Sequence, residues 1–295
     1  MKVLVTGVKG QLGYDCVNEL IKRNHEAIGI DIEEMDITDM DSVNTVLAEV
    51  SPDAVIHCAA WTAVDAAEDE ENHAKVHAVN ATGTENIANA CKKLGCKMMY
   101  ISTDYVFNGL GTTPWDEECT DYAPLNVYGQ TKLDGELAVS NTLENYFIVR
   151  IAWVFGLNGN NFIKTMLNVG KRFPRLTVVN DQIGNPTYTY DLARLLVDMI
   201  ETEKYGYYHA TNEGDYISWY DFTQEIFRQA VEMGHTEYAS ETVTVAPVTT
   251  AEYGVSKAAR PFNSRLSRRK LVENGFTPLP IWQDAIARYL KTIEF

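Results

Sequence analysis

No run of this 295-residue chain approaches the roughly 18 consecutive apolar residues that a membrane-crossing helix needs, so no membrane partner is expected. Cysteine is sparse. The five thiols, Cys16, Cys58, Cys91, Cys96 and Cys119, are an odd set without zinc-like spacing, and Cys91 and Cys96 do not form a CxxC pair. They read as buried or incidental thiols of a reducing compartment. Positive charge is short too, with 25 Lys and Arg against 41 Asp and Glu and a formal net charge of −16. A chain this acidic lacks the basic face of a nucleic-acid binder, and no nucleic-acid partner is expected. The same charge opposes an anionic substrate at long range, so such a substrate would need a local basic cluster. Arg260, Arg265, Arg268, Arg269 and Lys270 supply a candidate. No linker rich in Gly, Ser or Pro, no internal repeat and no low-complexity segment is found. Met1 to Gly7 enters a strand at once, without the apolar segment and cleavage site of an export signal, so a cytoplasmic location is expected.

What is present is alternation. Lys2–Thr6 reads as a buried strand, and Gln11–Arg23 as a helix with apolar spacing at Leu12, Val17, Leu20 and Ile21. Strands are predicted at 27–31, 54–58, 97–102 and 146–150, with helices at 42–50, 72–94 and 125–140 between them. This pattern predicts an α/β fold: a Rossmann-type, doubly wound parallel sheet with right-handed crossovers. Beyond about residue 155 the pattern loosens, with helices at 161–171, 189–202 and 218–233, the last capped by Ser218, and strands at 176–180 and 207–210. Residues 1–155, with later segments returning to them, are expected to form a dinucleotide-binding domain. Residues 156–295 are expected to be largely a smaller substrate-binding lobe that completes a cleft.

The first strand runs into Gly7, Gly10 and Gly13, and Gln11 and Leu12 open the helix that follows. Glycines at this spacing allow a tight turn, close approach to a pyrophosphate, and helix-on-strand packing, with the helix N-terminus facing the phosphate charge. Asp31 ends the second strand where an acidic residue binds the adenosine ribose hydroxyls. The residues after it, through Asp36, are acidic and include no Lys or Arg for a ribose 2′-phosphate, so NADH is slightly favoured over NADPH. Asp36 and Ile37 fit an adenine-flanking turn, and equally an ordinary loop before a helix. Ala59, Ala60, Trp61 and Thr62 leave the third strand at the edge where a cofactor would lie.

Tyr128 and Lys132 are four apart on a predicted helix and therefore share a face. A cation beside a phenol favours the phenolate, bringing the tyrosine toward the range of efficient proton transfer. By itself the pair also fits an amphipathic helix with an exposed lysine. Thr103 closes the fourth strand at the cofactor edge, where a hydroxyl can hold a substrate carbonyl. A Ser-Thr-Asp run alone fits a simple turn as well.

Together, the glycine loop, Thr103, Tyr128 and Lys132 resemble the short-chain dehydrogenases/reductases, and the glycine spacing resembles their extended branch, which acts largely on nucleotide sugars. Residues 102–107, 124–132, 150–154, 160–166, 180–187 and 260–266 are similar, in order, to the dTDP-4-dehydrorhamnose reductase family. That resemblance covers essentially the whole chain. It implies hydride transfer from NADH or NADPH to carbon 4 of dTDP-4-dehydro-L-rhamnose, with dTDP-L-rhamnose as product. It implies that Tyr128 donates the proton, Thr103 polarises the carbonyl, and Lys132 binds the nicotinamide ribose and tunes Tyr128. Trp153 packs on the sugar by the same resemblance, and Asp104 and Tyr105 are candidate substrate contacts that equally fit core or turn roles. Arg260 and Arg265 are candidates for the diphosphate, since guanidinium forks match phosphate oxygens. Asn263 and Gln182 are candidate nucleotide contacts, and Arg268, Arg269 and Lys270 are expected on an exposed helix.

No metal is assigned. His73 and His77 share a helix face without an evident third ligand, and the acidic run 68–71 suits a solvated helix start. Some relatives hold a metal at a dimer contact through carboxylates, and Tyr190 stands where one such carboxylate is looked for. A monomer or a homodimer fits. Alternatives are another nucleotide-sugar 4-ketoreductase, an epimerase that keeps its NAD, or a non-catalytic dinucleotide-binding regulatory subunit. A Thr-Asp-Glu run that would favour a dehydratase is lacking after Ser102, and a binding-only protein has no need of Thr103, Tyr128 and Lys132 together.

Overall fold

Apolar strands alternating with amphipathic helices bury both when a parallel sheet is covered on its two faces. The computed structural model describes residues 1–254 and 256–295. Its first half runs β1 (Lys2–Thr6), α1 (Gln11–Lys22), β2 (Glu26–Ile30), α2 (Met40–Val50), β3 (Ala54–His57), α3 (Glu70–His77), α4 (Gly83–Leu94), β4 (Lys97–Thr103), α5 (Val127–Thr142) and β5 (Tyr146–Ile151). Next come β6 (Val154–Phe155), α6 (Phe162–Arg172), β7 (Arg175–Val179), β8 (Ile183–Gly184), β9 (Thr187–Tyr188) and α7 (Thr189–Ile200). The chain ends with β10 (Gly206–His209), β11 (Ile217–Ser218), α8 (Trp219–Glu232), β12 (Thr244–Val248), α9 (Thr250–Tyr253), β13 (Asn263–Ser264), α10 (Arg269–Glu273) and α11 (Trp282–Leu290).

Six strands pair in the order β2-β1-β3-β4-β5-β10, all parallel. Alternate residues of one strand serve opposite faces. Val3 and Val5 pack with Leu20 of α1 and Leu192 of α7, while Leu4 packs with Leu47 of α2, Ile87 of α4 and Val139 of α5. The strand predicted at 207–210 returns to this sheet as β10, beside β5. The strand order turns around between β1 and β3, which opens a crevice at their C-terminal ends.

The single helix predicted at 72–94 is two helices joined by a wider π-type turn at Ala78–Thr82. Such turns reorient a side chain that a regular helix would place elsewhere. Here Asn80 is turned inward: its Oδ1 accepts from Trp61 N at 2.8 Å, and its amide donates to Trp61 O at 3.2 Å and Thr131 Oγ1 at 3.1 Å.

The remaining strands among the described residues form small sheets, β11-β8-β13, β12-β7 and β6-β9. The strand predicted at 176–180 is β7, whereas the two-residue strands β6, β8, β9, β11 and β13 are too short to be read from sequence and are created by tertiary pairing. They surround an aromatic-rich core that includes Phe155, Tyr188, Phe222, Trp282 and Tyr289. A fully buried ion pair, Arg150 Nη2 to Glu136 Oε2 at 2.8 Å, ties β5 to α5, and Tyr122 accepts a further bond from Arg150. No helix among the described residues is long and apolar enough to cross a membrane.

Candidate functional site

A cavity of about 1110 Å³ follows the C-terminal edge of the sheet. At one end lies the glycine loop. Gly7 has φ +70°, and a Cβ there would stand 2.8 Å from Ala59 N, so only glycine lets the turn after β1 pass β3. Gly10 N–H bonds Gly7 O at 3.0 Å, and a Cβ on Gly13 would collide with the Gly7 carbonyl. The start of α1, with Gly10, Gln11, Leu12 and Gly13, therefore opens on the cavity. Asp31, Asp36, Ile37, Ala59, Ala60, Trp61 and Thr62 line the same wall. Asp31 accepts bonds from Lys9 N at 3.0 Å and Ile32 N at 2.9 Å, which fix its carboxylate at the loop. A dinucleotide fits this cradle, because its pyrophosphate can occupy the space that side chains at these glycines would fill.

Lys9 lines the cavity as well, with its ammonium 2.5 Å from Glu33. The residues after Asp31 through Asp36 include no Lys or Arg. The cation lies in the glycine loop itself, in a position that only folding brings beside β2.

The catalytic candidates meet midway. Thr103, Tyr128 and Lys132 all line the cavity. Asn126 starts α5 by accepting Gly129 N at 2.7 Å, and a Cβ on Gly129 would fall on the Tyr105 carbonyl, so helix and loop pack backbone to backbone. Lys132 is buried, donates to Ile101 O at 2.7 Å, and sits 4.0 Å above the Tyr100 ring. Burial brings its ammonium down to about 7, against the pull of Glu136 one helical turn on. Burial pushes the Tyr128 phenol well above its ordinary value; the Thr103 hydroxyl opposes the shift, and Asp104 and Tyr105 add to it. Burial, rather than the lysine, thus dominates Tyr128. A buried phenol stays protonated, the form a proton donor needs.

At the other end stand Asp104, Tyr105, Trp153 and Arg260. Thr103 Oγ1 donates to Asp104 Oδ1 at 3.1 Å, and burial pushes the Asp104 carboxyl up to about 7. Arg260 pairs with Asp65 at 2.7 Å and reaches toward the Tyr105 hydroxyl at 3.5 Å.

Three substrate candidates are not brought to the cavity wall. Asn263 is buried, with its amide donating to Leu110 O and Thr113 O and its carbonyl accepting from Arg265. Arg265 is turned by that bond and lies near Tyr216. Gln182 is buried between Thr250 and Trp219. The basic cluster is dispersed by acidic partners: Arg268 pairs with Glu213, Arg269 with Asp116 and Glu273, and Lys270 with Glu118. Sequence reasoning missed Lys9, Phe162 and Trp219 on the wall. The lysine inside the glycine triplet was a usable signal for the first, and none existed for the other two.

Among the described residues no group of three or more His, Cys, Asp and Glu is placed to hold a metal. Glu68 accepts from Val127 N and Asp69 pairs with Lys257, so this acidic run ties the cavity's surroundings together.

Fold and cavity define a dinucleotide-dependent oxidoreductase of the short-chain dehydrogenase/reductase type. A family profile described as the RmlD substrate binding domain matches residues 1–295, and the chain belongs to that family. It is 38% identical to the spore coat polysaccharide biosynthesis protein SpsK of Bacillus subtilis, over 98% of this chain and 97% of that one. It is 36% identical to the dTDP-4-dehydrorhamnose reductase of Escherichia coli K12, over 99% and 98%. The structure matches that of the dTDP-4-dehydrorhamnose reductase of Bacillus anthracis in complex with NADP, with a TM-score of 0.90, 40% identity, and coverage of 99% and 100%.

Proposed function

We propose that this enzyme reduces the 4-keto group of dTDP-4-dehydro-L-rhamnose to give dTDP-L-rhamnose, with NADH or NADPH as reductant. The supporting observation is the gathering of Thr103, Tyr128 and Lys132 on one cavity between the glycine loop and the Trp153–Arg260 end. The similar proteins named dTDP-4-dehydrorhamnose reductase support the same reading.

The dinucleotide, when bound, supplies the hydride to the carbonyl carbon. Tyr128, held protonated by burial, gives its proton to the carbonyl oxygen as charge builds there. The Thr103 hydroxyl turns from Asp104 to that oxygen, a preorganised donor worth most in a water-excluded site. Lys132 spends one donor on Ile101 O and keeps others for the nicotinamide ribose hydroxyls. Asp31 accepts from the adenosine ribose, while Lys9, released from Glu33, faces a 2′-phosphate; the loop thus suits NADPH as well as NADH. Arg260 exchanges Asp65 for the substrate diphosphate. A small-molecule site on one lobe boundary is compatible with a monomer or a homodimer.

The test is direct. The purified protein is mixed with enzymatically prepared dTDP-4-dehydro-6-deoxyglucose, the epimerase that precedes the reduction, and NADH or NADPH, and absorbance and sugar product are followed. Oxidation of cofactor with formation of dTDP-L-rhamnose is expected. No oxidation of either cofactor would refute the reading, and dTDP-6-deoxy-D-hexose as sole product would move it to another 4-keto sugar.

A further inference from the structure

The cavity end beyond Thr103 carries an aromatic assembly that reduction of a ketone does not require. Trp153, Phe162 and Trp219 come from the loop after β5, the start of α6 and the start of α8, and all line the cavity. The Trp153 and Trp219 rings stack with centroids 3.7 Å apart and an interplanar angle of 17°, and Phe162 meets Trp219 at 4.5 Å. The stack is built, not incidental. Trp153 has φ +51°, a left-handed conformation that a bulky residue adopts only where the surroundings impose it. Thr187 imposes it: its N–H bonds Trp153 O at 3.1 Å, and its hydroxyl bonds Ala152 O at 2.6 Å. Gly184 leaves room for the indole, since a Cβ there would stand 3.1 Å from Trp153 Cε2.

Trp219 is pinned in its turn. It is the first residue of α8, and the reciprocal Ser218–Asp221 capping box sets the helix start. Its Nε1 donates to Gln182 Oε1 at 3.2 Å, and Gln182 Nε2 donates to Thr250 Oγ1 at 3.0 Å. Both ends of the buried Gln182 amide are therefore engaged, and this residue acts through Trp219. With its only donor spent, Trp219 offers carbon alone to the cavity.

Resting on the function proposed above, we propose that Trp219 is a positioning residue for the sugar. It holds the Trp153 indole in place, and with Phe162 it completes an apolar wall that accepts the methyl at carbon 6 of a deoxysugar in preference to a hydroxymethyl group. A methyl group loses nothing against such a wall. A hydroxyl placed against the Trp219 and Phe162 rings gives up its water and meets only carbon there. The polar groups at Thr103, Asp104 and Tyr128 then take the opposite, oxygen-bearing side.

The experiment compares dTDP, dTDP-L-rhamnose and dTDP-L-mannose, the two sugars differing only at carbon 6, by calorimetry on the full chain with NADPH bound. The wild type is expected to prefer the deoxysugar by about tenfold, the size that one group commands in an apolar pocket. Trp219→Ala should reduce the preference to within about twofold while the affinity for dTDP itself is unchanged; Trp219→Phe should keep part of it. In the reductase assay Trp219→Ala should raise KM more than it lowers kcat. Unfolding midpoints of both variants separate this from a loss of structure. No preference in the wild type, a preference retained in Trp219→Ala, or an equal loss of dTDP affinity would overturn the proposal. Binding of these sugars needs no turnover, so a failure of the reductase assay leaves this outcome separately readable.

Discussion

At its dinucleotide end the cavity is made of backbone, with glycines, strand ends and a helix start lying within short stretches of chain. At its other end, where the proposed function places the sugar, it is made of side chains, with Asp104, Trp153, Phe162, Trp219 and Arg260 arriving from segments far apart in sequence. The two ends answer different demands. A pyrophosphate is recognised by N–H groups and by closeness of approach, which a local motif delivers. A sugar is recognised by shape and by the placement of a few polar groups, which takes a lobe to assemble. Thr103, Tyr128 and Lys132 stand at the seam between them.

The sharpest test of this division is Tyr128→Phe. Loss of the proton donor should lower kcat by about 10²- to 10⁴-fold, while the Kd for NADPH by fluorescence titration stays within about twofold. A variant that kept most of its kcat would remove the chemistry from the seam. Asp104→Asn probes the sugar end through stability. The buried carboxyl, with its pKa raised to about 7, keeps a proton that the unfolded chain sheds. Wild-type stability should therefore fall as pH rises from about 4 to about 7, and stay reduced above it. Relative to wild type, Asp104→Asn should gain up to about 4 kcal/mol at about pH 8 and nothing near pH 3.5, read from denaturant unfolding. An equal effect at both pH values would exclude a buried charge as its cause. Gly7→Ala is the complementary change at the other end. Left-handed strain and the approach to Ala59 should weaken NADPH by about tenfold and leave dTDP affinity unchanged. Equal loss of both ligands would mean that the two ends do not act separately.

Legibility in the sequence follows the same line. The glycine triplet, Asp31 and the Tyr128–Lys132 spacing were readable because each expresses a local rule: a turn, a strand end, a helix face. The π-type turn at Ala78–Thr82 was not, since nothing in local pattern distinguishes it from the helices it joins. Arg260 and Arg265 looked equivalent, yet the Asn263 carbonyl holds Arg265 away from the wall while Arg260 faces the cavity. Gln182 fits a nucleotide contact by sequence, but in the fold its partners are Thr250 and Trp219. Lys9 is visible in the glycine triplet, and β2 lying beside β1 brings it next to Asp31 and Glu33.

Short-range sterics and periodicity in this chain were enough to dictate the parallel sheet, the dinucleotide loop and the helix face that carries Tyr128 and Lys132. These features act within a few residues, where backbone geometry leaves few choices. Tertiary structure alone decided which side chains line the far end of the cavity, that Glu136 and Arg150 neutralise each other in the core, and that burial, ahead of any neighbouring charge, governs Tyr128 and Lys132. Desolvation and side-chain contact depend on everything packed around a group, and that information exists only once distant segments have met.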